Sequence, residues 1–235
     1  MKPRALIVRA PGTNRDHDVA FALELAGAVA ERVSLSALIQ DPSKLNNTEI
    51  VVLAGGFSNA DALGAGTLAG LELRQSLGNE LRSFVESGRP VLGICNGFQM
   101  LVRSGLLPGS LTRNAGGAFT CRWVTLETTA NPSVWTSKIT EPIECPVAHG
   151  EGRYVATADT VAKHGALQYF QGTNPNGSVD NIAGVADTTG LVLGLMPHPE
   201  NHVLNHQHPR WNRGESRGLG LALFASGVAH VESRG

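Results

Sequence analysis

Arg89-Pro-Val-Leu-Gly-Ile-Cys95-Asn-Gly-Phe-Gln-Met-Leu101 runs an apolar strand, Val91 to Ile94, into a cysteine and then at once into a segment of helical apolar spacing. Glycines stand two residues to either side of the cysteine, at Gly93 and Gly97. This is the thiol counterpart of the G-x-S-x-G nucleophile elbow, in which a sharp strand-to-helix turn pushes one side chain into the open. The glycines leave the helix room to cross back over the strand. At a helix start, unpaired N–H groups and the positive end of the dipole favour an anionic nucleophile. The plain alternative is a small buried cysteine at a strand end; the flanking strand, glycines and helix favour the nucleophile.

Around this stretch, short apolar runs alternate with helical segments. Residues 5–8 read as a buried strand, followed by the turn Pro11-Gly-Thr-Asn14 and a helix that reaches about Ala28. Thr13 or Asn14 is the expected cap, with Asp16 and Asp18 in the first turn. Residues 50–53 form a second buried strand closed by Gly55-Gly56, and residues 68–85 a helix ending near Gly88. Strands without alternation, separated by helices, predict an α/β fold, flavodoxin-like or Rossmann-like, with a mostly parallel sheet covered on both faces. Between residues 108 and 190, strand-like pieces at 121–127, 153–157 and 182–186 lie among Pro, Gly, Thr and Asn clusters, predicting an antiparallel extension. Residues 191–196 return to the buried-strand pattern and 219–231 read as a C-terminal helix. Neither an internal repeat nor a low-complexity linker interrupts the chain, so one domain over 1–235 is expected.

Composition narrows the function. With 42% apolar and 17% charged residues, the 235-residue chain is able to bury a sizeable core, and its 28 glycines predict many tight turns. A net charge of −1 without a long basic run offers no electrostatic footprint for nucleic acid or anionic membranes. No run of 18 apolar residues predicts a membrane span, and the apolar run after Met1 is too short for a signal peptide. Cys95, Cys121 and Cys145 form no C-x-x-C pair, which suits reduced thiols in a cytoplasm.

A thiolate nucleophile needs a base, and the base an orienter. Met196-Pro-His198-Pro-Glu200 follows the strand at 191–196 directly. Prolines at 197 and 199 are expected to hold this piece extended, with His198 and Glu200 on one side and the carboxylate fixing the imidazole. If both strands share one sheet, their carboxyl ends open on one crevice. Candidate oxyanion donors are the N–H of Asn96 and those of Gly56 and Phe57 in the glycine turn. A competing reading takes His198, His202, His206 and His208 as metal ligands. Pro199 and Pro209 bracket that segment and no second cluster is evident, so no metal is expected.

These pieces resemble the class I (triad) glutamine amidotransferases, and among them the glutaminase (PurQ-like) subunits of phosphoribosylformylglycinamidine synthase. The resemblance rests on Pro11-Gly-Thr-Asn14-Arg-Asp16-His-Asp18, Leu53-Ala-Gly-Gly-Phe-Ser58, Gly93-Ile-Cys-Asn-Gly-Phe-Gln99 and Met196-Pro-His-Pro-Glu200. Ala148-His-Gly-Glu-Gly-Arg-Tyr154 and Asn-Pro-Asn-Gly-Ser at 174–178 separate these subunits from relatives serving other pathways. It implies that Cys95 attacks the glutamine side-chain amide, that His198 manages the protons and that Glu200 orients it. Gln99, and with less definition His149 and Glu151, would face the substrate. It also implies partners: a PurL-like synthetase holding ATP, magnesium and formylglycinamide ribonucleotide, and a small PurS-like protein. No cofactor is expected on this chain, and it carries no Walker A loop.

The stretch Ser58-Asn-Ala-Asp61-Ala-Leu-Gly64-Ala-Gly66 departs from the family's Y-G-D-Y-L-R-x-G, keeping Asp61 and Gly66 and losing both tyrosines and the arginine. Ala54 replaces a usual proline, and Arg15 stands where a cysteine is common. These changes bear on docking to a partner rather than on the triad. The alternatives are a PfpI-like non-catalytic or redox-sensing relative on the same elbow and an inactive interaction subunit.

Overall fold

The computed structural model describes residues 1–214 and 218–234. Among these, eleven strands and six α-helices follow in chain order. The first half contains β1 (Arg4–Arg9), α1 (Asp16–Leu25), β2 (Val29–Ser34), α2 (Leu35–Gln40), β3 (Ile50–Leu53), α3 (Thr67–Glu86), β4 (Val91–Ile94) and α4 (Asn96–Ser104). The second half contains β5 (Ser110–Thr112), β6 (Thr120–Thr128), β7 (Ile143–His149), β8 (Arg153–Val155), α5 (Ala158–His164), β9 (Gly165–Tyr169), β10 (Ile182–Ala186), β11 (Val192–Leu195) and α6 (Leu221–Glu232). Nine strands form one sheet in the order β2-β1-β3-β4-β11-β10-β9-β6-β7, and β5 pairs with β8 apart from it. From β2 to β11 every pairing is parallel; from β11 to β7 every pairing is antiparallel. The antiparallel extension is therefore the continuation of the parallel sheet through its own edge.

The central strands β3, β4 and β11 are four residues long and buried throughout, as continuous apolar runs with both faces covered should be. α1 packs against β1 and α6, while α3 packs against α2 and α4, so helices cover the parallel half from two sides. α3 ends as a Schellman motif: Gly88 at φ +83° donates to Val85 O at 2.7 Å and Arg89 N–H to Phe84 O at 3.3 Å.

Two local expectations fail. The first helix stops at Leu25 rather than near Ala28, because Gly27 at φ +105° turns the chain into β2. β2 escapes a sequence reading since it is an edge strand with only Val33 buried, so it carries no apolar run. Neither Thr13 nor Asn14 caps α1. Arg15 occupies the N-cap without a side-chain capping bond, and Thr13 Oγ1 instead accepts the N–H of Ala10 at 3.0 Å, closing the turn before it.

Candidate active site

Cys95 stands between β4 and α4 at φ +52°, ψ −106°, a left-handed backbone rare for a residue with a side chain. Such a conformation costs about 1–3 kcal/mol and persists only where its surroundings impose it. Here they do. Cys95 N–H donates to Leu195 O at 2.7 Å, and Gln99 N–H closes the first helical turn onto Cys95 O at 3.1 Å. A Cβ on Gly97 would lie 2.0 Å from Leu53 O, and one on Gly93 2.7 Å from Gly97 O, so the crossing admits only glycine at both positions. The Cys95 side chain is buried, its Sγ 3.8 Å from Ala148 O.

β11 runs parallel to β4 in the register Gly93↔Gly194 and Ile94↔Leu195, so the segment leaving β11 emerges beside the sulfur. His198 and Glu200 lie on that segment, each at most 3% exposed. The segment is not extended as expected: Pro199–Asn201 forms a 3-10 turn with Pro199 at its first position. Proline's fixed φ suits a helical start, and the turn rather than an extended alternation brings the carboxylate back to the ring. His198 Nδ1 meets Glu200 Oε1 at 2.7 Å, and His198 N–H is anchored on Pro146 O at 2.8 Å. The ring and the Cys95 side chain line the same small cavity. Burial alone would lower the imidazole pKa, but the charges of Glu200 and Cys95 outweigh it and push it up to about 10. Thiol, imidazole and carboxylate thus lie together in a buried site, with the imidazole and carboxylate paired.

Of the three expected oxyanion donors, two keep a free N–H. Gly56, at φ +151°, lies beside Thr13 in an isolated bridge, where a Cβ would lie 2.6 Å from Thr13 Cα. That bridge uses Phe57 N–H, which donates to Gly12 O at 3.0 Å. Phe57 is therefore corrected from donor to strut. The N–H groups of Gly56 and Asn96 have no partner among the described residues, and that of Asn96 is an orphan of the first turn of α4.

On one side of Cys95 a cavity of about 140 Å³ is lined by Gly56, Asp61, Gln99, Phe119 and the loop after β7. Gln99 reaches it, but its side chain is already engaged: Nε2 donates to Glu151 O at 2.7 Å and Oε1 accepts from Asn96 Nδ2 at 2.9 Å. Glu151 Oε2 accepts the N–H of Ala65 at 3.2 Å. Burial, and then the nearby Glu151 carboxylate, push the Asp61 carboxyl up.

His149 touches the same cavity with its ring locked underneath. Nδ1 lies 3.1 Å from Asn114 Oδ1 and Nε2 3.5 Å from Asn176 Nδ2. Burial, and then the charge of His198, push its pKa down to about 4, so the ring is neutral at pH 7. Asn114 also takes Gly152 N–H at 3.0 Å, and Asn176 Nδ2 donates to Gly152 O at 2.8 Å. Asn114 and Asn176 were not singled out from the sequence. The signal for Asn176 was the Asn-Pro-Asn-Gly-Ser string itself, where Asn174 Oδ1 accepts the N–H groups of Asn176 and Gly177.

The four histidines do not converge. His198 faces Cys95, while His202 and His208 pack on Trp123, with His208 Nε2 3.0 Å from Glu144 Oε2. Among the described residues no group of three His, Cys, Asp or Glu side chains is placed to hold a metal ion.

The chain matches the model of the CobB/CobQ-like glutamine amidotransferase domain over residues 2–231. It is 41% identical to the phosphoribosylformylglycinamidine synthase subunit PurQ of Treponema denticola, covering 98% of this chain and 100% of that one. With the subunit of the same name from Pyrobaculum aerophilum it shares 44% identity, covering 93% and 97%. Among solved structures, PurLQS from Thermotoga maritima superposes with a TM-score of 0.80 and 37% identity over 96% of this chain and 97% of that one. Another glutamine amidotransferase of Thermotoga maritima, at 17% identity and a TM-score of 0.58 over 99% of each chain, shares the fold.

Proposed function

From the premise that this chain belongs to the CobB/CobQ-like glutamine amidotransferase family, on its phosphoribosylformylglycinamidine synthase branch, we propose that Cys95, His198 and Glu200 are its glutaminase triad. The chain acts as the glutaminase subunit of that synthase in purine biosynthesis, releasing ammonia from glutamine. The observation that carries the triad is the 2.7 Å pairing of His198 with Glu200 at the exit of β11, beside the strained elbow of Cys95.

The Cys95 thiolate attacks the side-chain amide carbon of glutamine. The oxygen of the tetrahedral adduct gathers charge opposite the N–H groups of Gly56 and Asn96; losing one such donor typically costs about 2.7–4 kcal/mol. The His198 imidazolium gives its proton to the amide nitrogen, the C–N bond breaks, and ammonia leaves a thioester on Cys95. Water then adds to the thioester with His198 as base, the C–S bond breaks, and glutamate leaves the regenerated thiolate. Glu200 holds the ring and supports its charged form. Gln99 and Glu151 shape the glutamine pocket through the bonds they already make, and His149 supports that pocket as a neutral ring.

Ammonia released into bulk water serves no synthesis, so the chain works against a PurL-like synthetase carrying ATP and magnesium, together with a small PurS-like protein. This chain itself needs no cofactor for the steps above, and its place is the cytoplasm. No helix among the described residues is long and apolar enough to cross a membrane.

The test is glutamate release from glutamine by the wild type and by Cys95→Ala, each with and without the synthetase. A wild-type rate that rises with the partner and vanishes in Cys95→Ala is expected. A wild type inactive in both states would instead favour an interaction subunit that has lost the reaction.

A further inference from the structure

The sulfur of Cys95 faces two compartments. Gly56, Phe57, Cys95 and Ala148 line both, so the two meet at the nucleophile. The larger continues to Gln99 and Glu151. The smaller, about 30 Å³, is completed by Asn14, Arg15 and His198, and only this one is lined by the candidate acid. One water needs about 10–15 Å³ of such space, so the smaller chamber admits at most about two or three molecules of that size and no amino acid.

The tetrahedral adduct has four substituents and the site offers four directions. The sulfur is Cys95, the oxygen belongs to Gly56 and Asn96, and only the larger cavity has room for the remainder of glutamine. The nitrogen must point to His198, since a general acid works within hydrogen-bond reach of the group it protonates. His198 borders the small chamber, whose outer wall is Asn14, exposed, and Arg15, half-buried. The N–H groups of Asn14 and Arg15 both donate to Gly55 O at 3.2 Å, fixing that wall to the oxyanion turn. The Arg15 side chain is braced outward, Nη1 3.1 Å from Asp18 Oδ2, which also accepts from Asn201 Nδ2 at 3.0 Å, one residue past Glu200.

We propose that this small chamber is the port of the small reactants, where ammonia leaves and the hydrolytic water enters, with Arg15 as its gate. The inference rests on the glutaminase reading and adds to it a direction. Glutamine and glutamate exchange through the Gln99 side; ammonia departs on the Arg15 side, where the conduit of a synthetase would have to begin.

The experiment measures how the acyl-enzyme partitions between water and hydroxylamine. Hydroxylamine attacks the thioester through nitrogen, its N–C bond forms as the C–S bond breaks, and γ-glutamyl hydroxamate replaces glutamate. Arg15→Ala, which widens the port, should raise the hydroxamate-to-glutamate ratio. Arg15→Trp, which narrows it, should make release of the small product limiting and lower kcat by ~10-fold or more, with KM for glutamine unchanged. If Arg15→Trp fails to fold, the Arg15→Ala ratio still decides. A wild-type ratio in Arg15→Ala, or a raised KM at unchanged kcat in a folded Arg15→Trp, would overturn the port. A wild type that releases no glutamate even with its partner would overturn the glutaminase reading, and the port with it.

Discussion

The N–H of Ser58 donates to Asn96 Oδ1 at 3.0 Å, so the residue that follows Cys95 holds the backbone that follows the Gly55-Gly56 turn. The same side chain donates through Nδ2 to Gln99 Oε1 at 2.9 Å and to Asp61 Oδ1 at 3.3 Å. Asn96 thereby ties the elbow, the divergent 58–66 loop and the cavity at Gln99 together. That loop needs such a tie, because Asn59, Ala60, Asp61 and Leu63 all have positive φ.

Asn96→Ala leaves a buried N–H and a buried carbonyl oxygen unpaired, at about 1–3 kcal/mol each. Part of that cost falls on the geometry of Gly56, so kcat/KM for glutamine should drop roughly 10–100-fold while the chain still folds. Steady-state glutamate release measures it; an unchanged kcat/KM would mean that the loop holds itself.

Glu200→Gln removes the charge that keeps His198 protonated, and kcat should fall roughly 10³-fold or more. The pH dependence has a definite sign. His198 rises from 6.5 to about 10 in the folded chain, so its contribution to stability is complete below pH 6.5 and is lost as pH climbs through 10. Urea denaturation across that window should show the wild-type advantage over Glu200→Gln shrinking with rising pH. Parallel stability curves would count against the pairing.

His149 acts at the opposite end. Its pKa falls to about 4, so the unfolded chain binds a proton that the folded chain does not. Stability should therefore decline as pH falls from 6.5 towards 4, and His149→Gln, which cannot titrate, should flatten that limb. Denaturation midpoints on either side of that window give the comparison. An equally steep acid limb in the variant would exclude His149 as its source.

Gly97→Ala places a methyl group 2.0 Å from Leu53 O, a backbone atom with little room to retreat. Overpacking of this kind costs about 3 kcal/mol or more, a fall in Tm of roughly 6–12 °C for a chain of this length. Thermal unfolding followed by circular dichroism tests it. A Tm within about 2 °C of wild type, roughly the effect of 1 kcal/mol or less, would show that the helix crossing is looser than described.

Local signals made much of the fold legible. β3, β4 and β10 match the expected runs because short, wholly apolar segments between turn residues have few other ways to be buried. β2 was not legible, since an edge strand with one buried residue lacks that pattern. At the site, Cys95, His198 and Glu200 were readable as chemistry, and their geometry needed the β4–β11 pairing. Phe57 shows where local reading stops: whether its N–H faced the sulfur or Gly12 depended on a partner from a distant loop.

By itself, then, the sequence determined the strand–Cys95–helix turn, because its glycines act on their own backbone and admit a crossing that no other residue would. Only the tertiary structure decided which amides remain without a partner, that His149 is a neutral strut, and that Arg15 lines a second compartment beside Cys95. Each of those depends on which of several possible hydrogen-bond partners lies nearest. That choice is made between segments far apart in the chain, through the stacking of parallel strands that no local pattern records.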